Sequence, residues 1–152
     1  MKINLYLAHS IHEMGLGKGI QQTLEIRGFN VINPFSSQTE HPIFKAVESG
    51  NNKKFQWTSY VDIGGCDDIV FQDLAIIANS HVILLLFPSE ITVGIPCEMM
   101  YGWMNHKNMY AVVPDTLQYH PWIKSLTNDH VYTRYNEAID RITSDFEYLL
   151  SH

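Results

Sequence analysis

A chain of 152 residues, 45% of them hydrophobic and 17% charged, has the makeup of an ordinary compact globular domain with a real core. Ten basic against sixteen acidic side chains leave a formal net charge of −6, which argues against a nucleic-acid polymer as partner but leaves room for a small anionic ligand in a local pocket. The opening residues carry no signal-peptide pattern and no apolar run reaches about 18 residues, so the expectation is a soluble, cytoplasmic protein with no membrane partner.

Taken in order, Ile3 to Ala8 reads as a short apolar strand, and His9 to Gly19 as a loop carrying glycines at 15, 17 and 19. Ile20 to Arg27 reads as a helix ended by Gly28, and Asn30 to Asn33 as a second strand stopped by Pro34. This strand–helix–strand opening predicts parallel pairing with a right-handed crossover. The segment from Phe35 to Gly65 is irregular, with a short helix suggested over Ile43 to Glu48, and is expected to fold over a ligand site. Asp67 to Asn79 has helical periodicity. His81 to Phe87 is an apolar run typical of a buried strand. Gly94 to His106 follows as a helix with Pro96 in its first turn. Met109 to Val113 and His130 to Thr133 read as strands, and Pro121 to Leu126 as a short helix between them. Tyr135 to Leu150 reads as a closing amphipathic helix. The fold class is therefore α/β: a single Rossmann-like domain over residues 1–152, with a four- or five-stranded parallel sheet flanked by helices.

Three polar residues converge on such a sheet. Glu98 follows the buried strand at the start of the next helix, where ligands of open parallel sheets bind. The helix dipole there favours an ionised carboxylate, although acidic residues are common in first turns for that reason alone. Tyr6 lies on the first strand, and Asp73 on the helix before the third. Each also has a plain reading, as a core aromatic and a solvated helix residue. The glycines of Gly15-Leu16-Gly17-Lys18-Gly19 match neither a dinucleotide fingerprint nor a P-loop, yet their backbone could approach an anion. Eight histidines show no metal-ligand spacing, and there is no G-x-S-x-G elbow. The two cysteines, Cys66 and Cys97, match no zinc or redox motif; free thiols suit a reducing compartment, and a single disulfide stays open.

Leu5-Tyr6-Leu7-Ala8, Phe71-Gln72-Asp73-Leu74 with Ala78-Asn79-Ser80, and Gly94-x-x-x-Glu98 with Tyr101-Gly102 together resemble the nucleoside 2-deoxyribosyltransferase superfamily, whose other branch is the nucleoside 5′-monophosphate N-glycosidases. The resemblance runs from Met1 to about Pro114. It implies that Glu98 attacks the anomeric carbon to form a glycosyl-enzyme ester, that Tyr6 holds the Glu98 carboxylate, and that Asp73 manages the proton of the leaving base. It implies no metal and no organic cofactor, a small-molecule nucleotide or nucleoside as partner, and a homodimer or higher homo-oligomer in which a neighbour completes the pocket. Met99, Met100, Trp103 and Met104 offer side chains suited to such an interface, or to a core. His120 lies near where the family places the neighbour's contribution.

The chain departs from the family pattern at three places. His9 stands where glycine is frequent after the first strand. His12 stands where a nucleotide-hydrolysing member carries arginine near the phosphate. Thr92 stands where transferases commonly carry an aspartate for the sugar 5′-OH. A threonine hydroxyl can donate to a phosphate oxygen, beside the unpaired N–H groups at the Gly94 helix start; it can also be a plain helix cap. Ser10 and His12 could supply further donors. The first expectation is an N-glycosidase of (deoxy)nucleoside 5′-monophosphates that releases free base and sugar 5-phosphate. The alternatives are a nucleoside 2-deoxyribosyltransferase exchanging bases between deoxynucleosides, and a non-catalytic nucleotide-binding sensor domain.

Overall fold

The computed structural model describes residues 2–37, 66–90 and 92–151. Five strands form one sheet: β1 (Asn4–Ala8), β2 (Asn30–Ile32), β3 (Val82–Leu86), β4 (Asn108–Val112) and β5 (Val131–Tyr132). Their spatial order is β2-β1-β3-β4-β5, and every pairing is parallel. The helices between them are α1 (Met14–Ile26), α2 (Pro34–Ser37), α3 (Cys66–Ala78), α4 (Gly94–Met104), α5 (Pro121–Leu126), α6 (Tyr135–Asp145) and α7 (Glu147–Leu150). The expected helix over Ile43 to Glu48, and the expectation that 35–65 covers the site, lie outside the described residues from 38 on. No helix among the described residues is long and apolar enough to cross a membrane.

The alternation of side chains along each strand divides the core into two layers. Leu5 and Leu7 of β1, with Val82, Leu84 and Leu86 of β3, face α1 and α6 through Ile20, Leu24, Ala138, Ile139 and Ile142. Tyr6 and Ala8, with Ile83 and Leu85, face the opposite way, onto Ile77 of α3, Ile95 and Met99 of α4, and Ile123 of α5. All five residues of β3 are buried, as a central parallel strand covered on both faces requires. Tyr6 therefore shares its layer with α3 and α4, which carry Asp73 and Glu98.

Two elements differ from the sequence expectation. The glycines at 15, 17 and 19 lie inside α1, which begins at Met14, and not in a loop. Glycine is a poor helix former, but packing overrides propensity here. A Cβ on Gly17 would stand 2.5 Å from His9 Nε2, so only glycine lets α1 approach that ring. The glycines thus offer no loop backbone to an anion. The second difference is at the C-terminus, where the closing helix breaks at Phe146 into α6 and α7.

Candidate functional site

The strand order reverses direction between β1 and β3. In doubly wound sheets, the crevice at that switch point, outside the carboxyl ends of the strands, is where ligands bind. Tyr6 sits on β1 and Glu98 follows β3, so the two flank it. The Tyr6 hydroxyl donates to Glu98 Oε1 at 3.1 Å. Asp73, half-buried on α3, acts electrostatically on both. The α4 helix can lie this close to the sheet because Gly102 has no side chain: a Cβ there would stand 2.6 Å from Ile83 Cδ1 and 2.7 Å from Met109 Sδ.

The protonation of this cluster departs from the sequence expectation. With α4 starting at Gly94, Glu98 falls in its second turn and no acidic residue occupies the first. The dipole effect fades over that distance. Burial instead pushes the Glu98 carboxyl up, the Asp73 charge pushes it further, and the Tyr6 hydrogen bond only partly opposes them, leaving it at about 8. Burial first, then the Glu98 and Asp73 charges, hold the Tyr6 phenol well above its ordinary value. At neutral pH the cluster retains a proton that an exposed pair of carboxylates would have lost.

The remaining candidates fall into two other places. Thr92 and His120 line a cavity of about 630 Å³ with Phe87, Met99 and Trp122, and Glu98 does not line it. The residue capping α4 is Val93, with no side-chain cap bond, so Thr92 does not serve as the cap. A Cβ on Gly94 would meet nothing within 4 Å, which leaves the start of α4 open. His120 is exposed and is itself the N-cap residue of α5, again with no side-chain cap bond.

Ser10 and His12 belong to the turn that joins β1 to α1. His12 is exposed and close enough to act on Glu13. His9 differs from them all, because its ring is turned into the fold. Its Nδ1 lies 2.8 Å from the Ser10 carbonyl oxygen and its Nε2 3.1 Å from Asn33 Oδ1, and Phe35 stacks on it at 4.5 Å. Both ring nitrogens are engaged, and burial pushes the imidazole below its ordinary range. Nothing in the sequence pattern singles out Glu13 or Asn33. The one available signal is the place of each, just past the carboxyl end of a strand. Among the described residues no group of His, Cys, Asp or Glu is arranged to hold a metal ion. Set against known proteins, the chain matches no family model and no curated relative.

Proposed function

We propose that the protein is an N-glycosidase acting on a (deoxy)nucleoside 5′-monophosphate, with Glu98 as nucleophile. The observation that carries this reading is the Tyr6–Glu98 hydrogen bond beside Asp73 at the switch point. The resemblance to the nucleoside 2-deoxyribosyltransferase superfamily supplies the reaction. Two carboxyls sharing one proton suit it. With the proton on Asp73, Glu98 is an ionised nucleophile and Asp73 is an acid for the departing base. A Glu98 oxygen bonds to the anomeric carbon, the bond to the base nitrogen breaks, and the base leaves with the proton. Water then attacks the same carbon of the ester, with the Asp73 carboxylate taking its proton, and sugar 5-phosphate is released. Tyr6 fixes the nucleophile by its hydroxyl.

Thr92 and the uncapped start of α4 are the chain's own donors for the 5′-phosphate. An aspartate there would repel a phosphate dianion, which is why the threonine favours the hydrolase over the transferase. Val93, Trp103, Met104 and Trp122 are more than half exposed or near it, which supports self-association across α4 and α5. Cys97 is a free, exposed thiol, in keeping with a reducing cytoplasm. The test is incubation of nucleosides and their 5′-monophosphates with the protein, followed by chromatography for free base. Release from monophosphates is the expected result. Transfer between deoxynucleosides in preference to hydrolysis would replace it with the transferase, and binding without any release would replace it with the sensor.

A further inference from the structure

The alternation that points Leu5 and Leu7 at α1 carries on past the end of β1 and delivers His9 to the same side, where Gly17 leaves room for its ring. There the ring meets two oxygens. Its Nδ1 lies 2.8 Å from the Ser10 carbonyl oxygen, which also accepts the Glu13 N–H at 3.0 Å. Its Nε2 lies 3.1 Å from Asn33 Oδ1. A backbone carbonyl only accepts, so Nδ1 carries a proton. A neutral imidazole then has no proton for Nε2, and the lone pair there faces the oxygen of Asn33. Only the charged ring donates both ways.

Asn33 cannot turn its amide round without loss. Its Oδ1 also accepts the N–H of Phe35, the second residue of α2, at 3.1 Å. Asn33 therefore caps that helix, with Pro34 in the first helical position. Its Nδ2 donates to Gln21 Oε1 at 3.2 Å, and Gln21 Nε2 donates to Glu25 Oε1 at 3.0 Å. One end of this chain is a backbone donor and the other a carboxylate acceptor, which sets the direction of every bond between them.

We propose that His9 is a proton-operated switch on α2. Charged, it leaves Asn33 to cap the helix; neutral, it draws the Asn33 amide NH₂ to Nε2, and the Phe35 N–H loses its acceptor. The switch sits three residues after Tyr6 in the chain and holds whatever the site binds. Burial pushes the imidazole below its ordinary value and the two oxygens oppose this, so the charge is taken up on the acid side of neutrality. Few charged or titratable groups lie on the elements around the ring. The 3₁₀ turn carries the exposed His12 and the half-buried Glu13, whose carboxyl burial raises and the His12 charge lowers, and whose Oε2 is sealed without a partner. On α1 there are the exposed Lys18 and Glu25, and on β1 there is Tyr6, which faces the opposite layer. Strand β2 and helix α2 carry none.

Nitrogen NMR of the labelled full chain reads both halves of the switch across about pH 4 to 8. Above the His9 midpoint the ring is expected in the Nδ1–H tautomer, and below it both nitrogens carry protons. Protection of the Phe35 amide against hydrogen exchange is expected to rise about fivefold through the same midpoint as pH falls, the change that a typical N-cap bond brings. Asn33→Asp keeps a capping oxygen and removes the NH₂. It should raise the His9 midpoint by about one pH unit or more, since a carboxylate then faces the ring, and should hold the Phe35 protection level through the wild-type window. A neutral ring in the Nε2–H tautomer overturns the switch. So does Phe35 protection that does not follow His9, a His9 that stays uncharged over the whole range, or an Asn33→Asp midpoint that does not move. Where the variant fails to fold, the wild-type titration decides alone.

Discussion

Two buried tyrosines in this fold donate to a carboxylate, and their surroundings give the two pairs opposite characters. Tyr110 on β4 donates to Asp145 Oδ2 at 2.7 Å, and the Arg141 Nε reaches both oxygens of Asp145 at 2.9 and 3.0 Å. Burial alone would raise the Asp145 carboxyl, but the Tyr110 bond and the Arg141 guanidinium overcome it and hold the group below its ordinary value. Tyr6 donates to Glu98 at the longer 3.1 Å. There a second carboxylate takes the place of the guanidinium, and Glu98 rises to about 8. The first pair is what a fold does with a carboxylate it needs only to anchor α6 to the sheet. The second is an arrangement that costs stability and keeps a titratable group near neutral pH. Perturbed groups of that kind gather at functional sites.

If the contrast is one of chemistry against anchoring, the largest effects must fall on the Tyr6 side. Glu98→Ala is expected to abolish base release while circular dichroism stays native, because loss of a nucleophile costs orders of magnitude in rate. Near-normal release by the folded variant would end the assignment. Asp73→Asn and Tyr6→Phe are expected to slow single turnovers less, by roughly 10²–10⁴-fold for a positioned acid or base. Their pH profiles should part. The competent form of wild type holds one proton between Glu98 and Asp73, so the rate falls as that proton is lost, near 8 in the free protein. Asp73→Asn removes both the acid and the charge that raises Glu98, so its rate instead rises with pH as Glu98 ionises, at a lower pH than the wild-type limb. Removing the Tyr6 hydrogen bond, which lowers the Glu98 carboxyl, moves the wild-type limb to higher pH. Limbs that shift together, or not at all, would break the proposed roles.

The contrast was half legible in the sequence. The apolar run His81 to Phe87 and the strand–helix–strand opening read out the parallel sheet, because period and length are local signals. The β1/β3 neighbourhood of Tyr6, Asp73 and Glu98 followed from that order alone. The protonation state did not. It depends on Glu98 falling in the second turn of α4 and on how far burial outweighs the dipole, and both are tertiary facts. The glycines of α1 misled for the same reason. Gly17 serves a contact with His9, a residue eight positions earlier that a sequence read by propensity does not place beneath it. Glu13 carried no local mark, since only the finished turn shows that its oxygen has no partner.

A smaller expected effect sharpens the Glu98 side by substrate. Thr92→Asp is expected to lower kcat/KM for a 5′-monophosphate at least about tenfold more than for the matching nucleoside, since the new carboxylate repels only the phosphate. The measurement is the matched pair on wild type and variant. A wild-type preference for the unphosphorylated nucleoside would promote the transferase.

Stability should also separate the pairs, with opposite signs in pH. Glu98 has a folded value above its ordinary 4.5, so its favourable contribution is complete below about 4.5 and is lost as pH rises towards about 8. The unfolding free energy of wild type, from urea titrations, should fall across that window by an amount on the order of a few kcal/mol, and Glu98→Gln should flatten the fall. Asp145 has a folded value below its ordinary 3.8, so its contribution is present above that pH and is lost as pH drops through the folded value. Asp145→Asn should flatten only this acid limb.

The smallest effect belongs to Tyr110→Phe. The change removes one hydrogen bond to Asp145, which keeps both contacts from Arg141 and part of its exposure to water. No buried acceptor is stranded, so the cost is that of a net hydrogen bond, about 1 kcal/mol. Base release should be unchanged, because the pair lies in the core layer facing α1 and α6, across the sheet from Tyr6. Tyr6→Phe is the mirror case. It leaves Glu98 with one donor fewer, a modest loss of stability beside a large loss of rate. Denaturation and single-turnover assays on the two variants give four numbers. Should Tyr110→Phe reduce the rate as much as Tyr6→Phe, the division between anchoring and chemistry would fail, and with it the reason for placing the site at the β1–β3 switch.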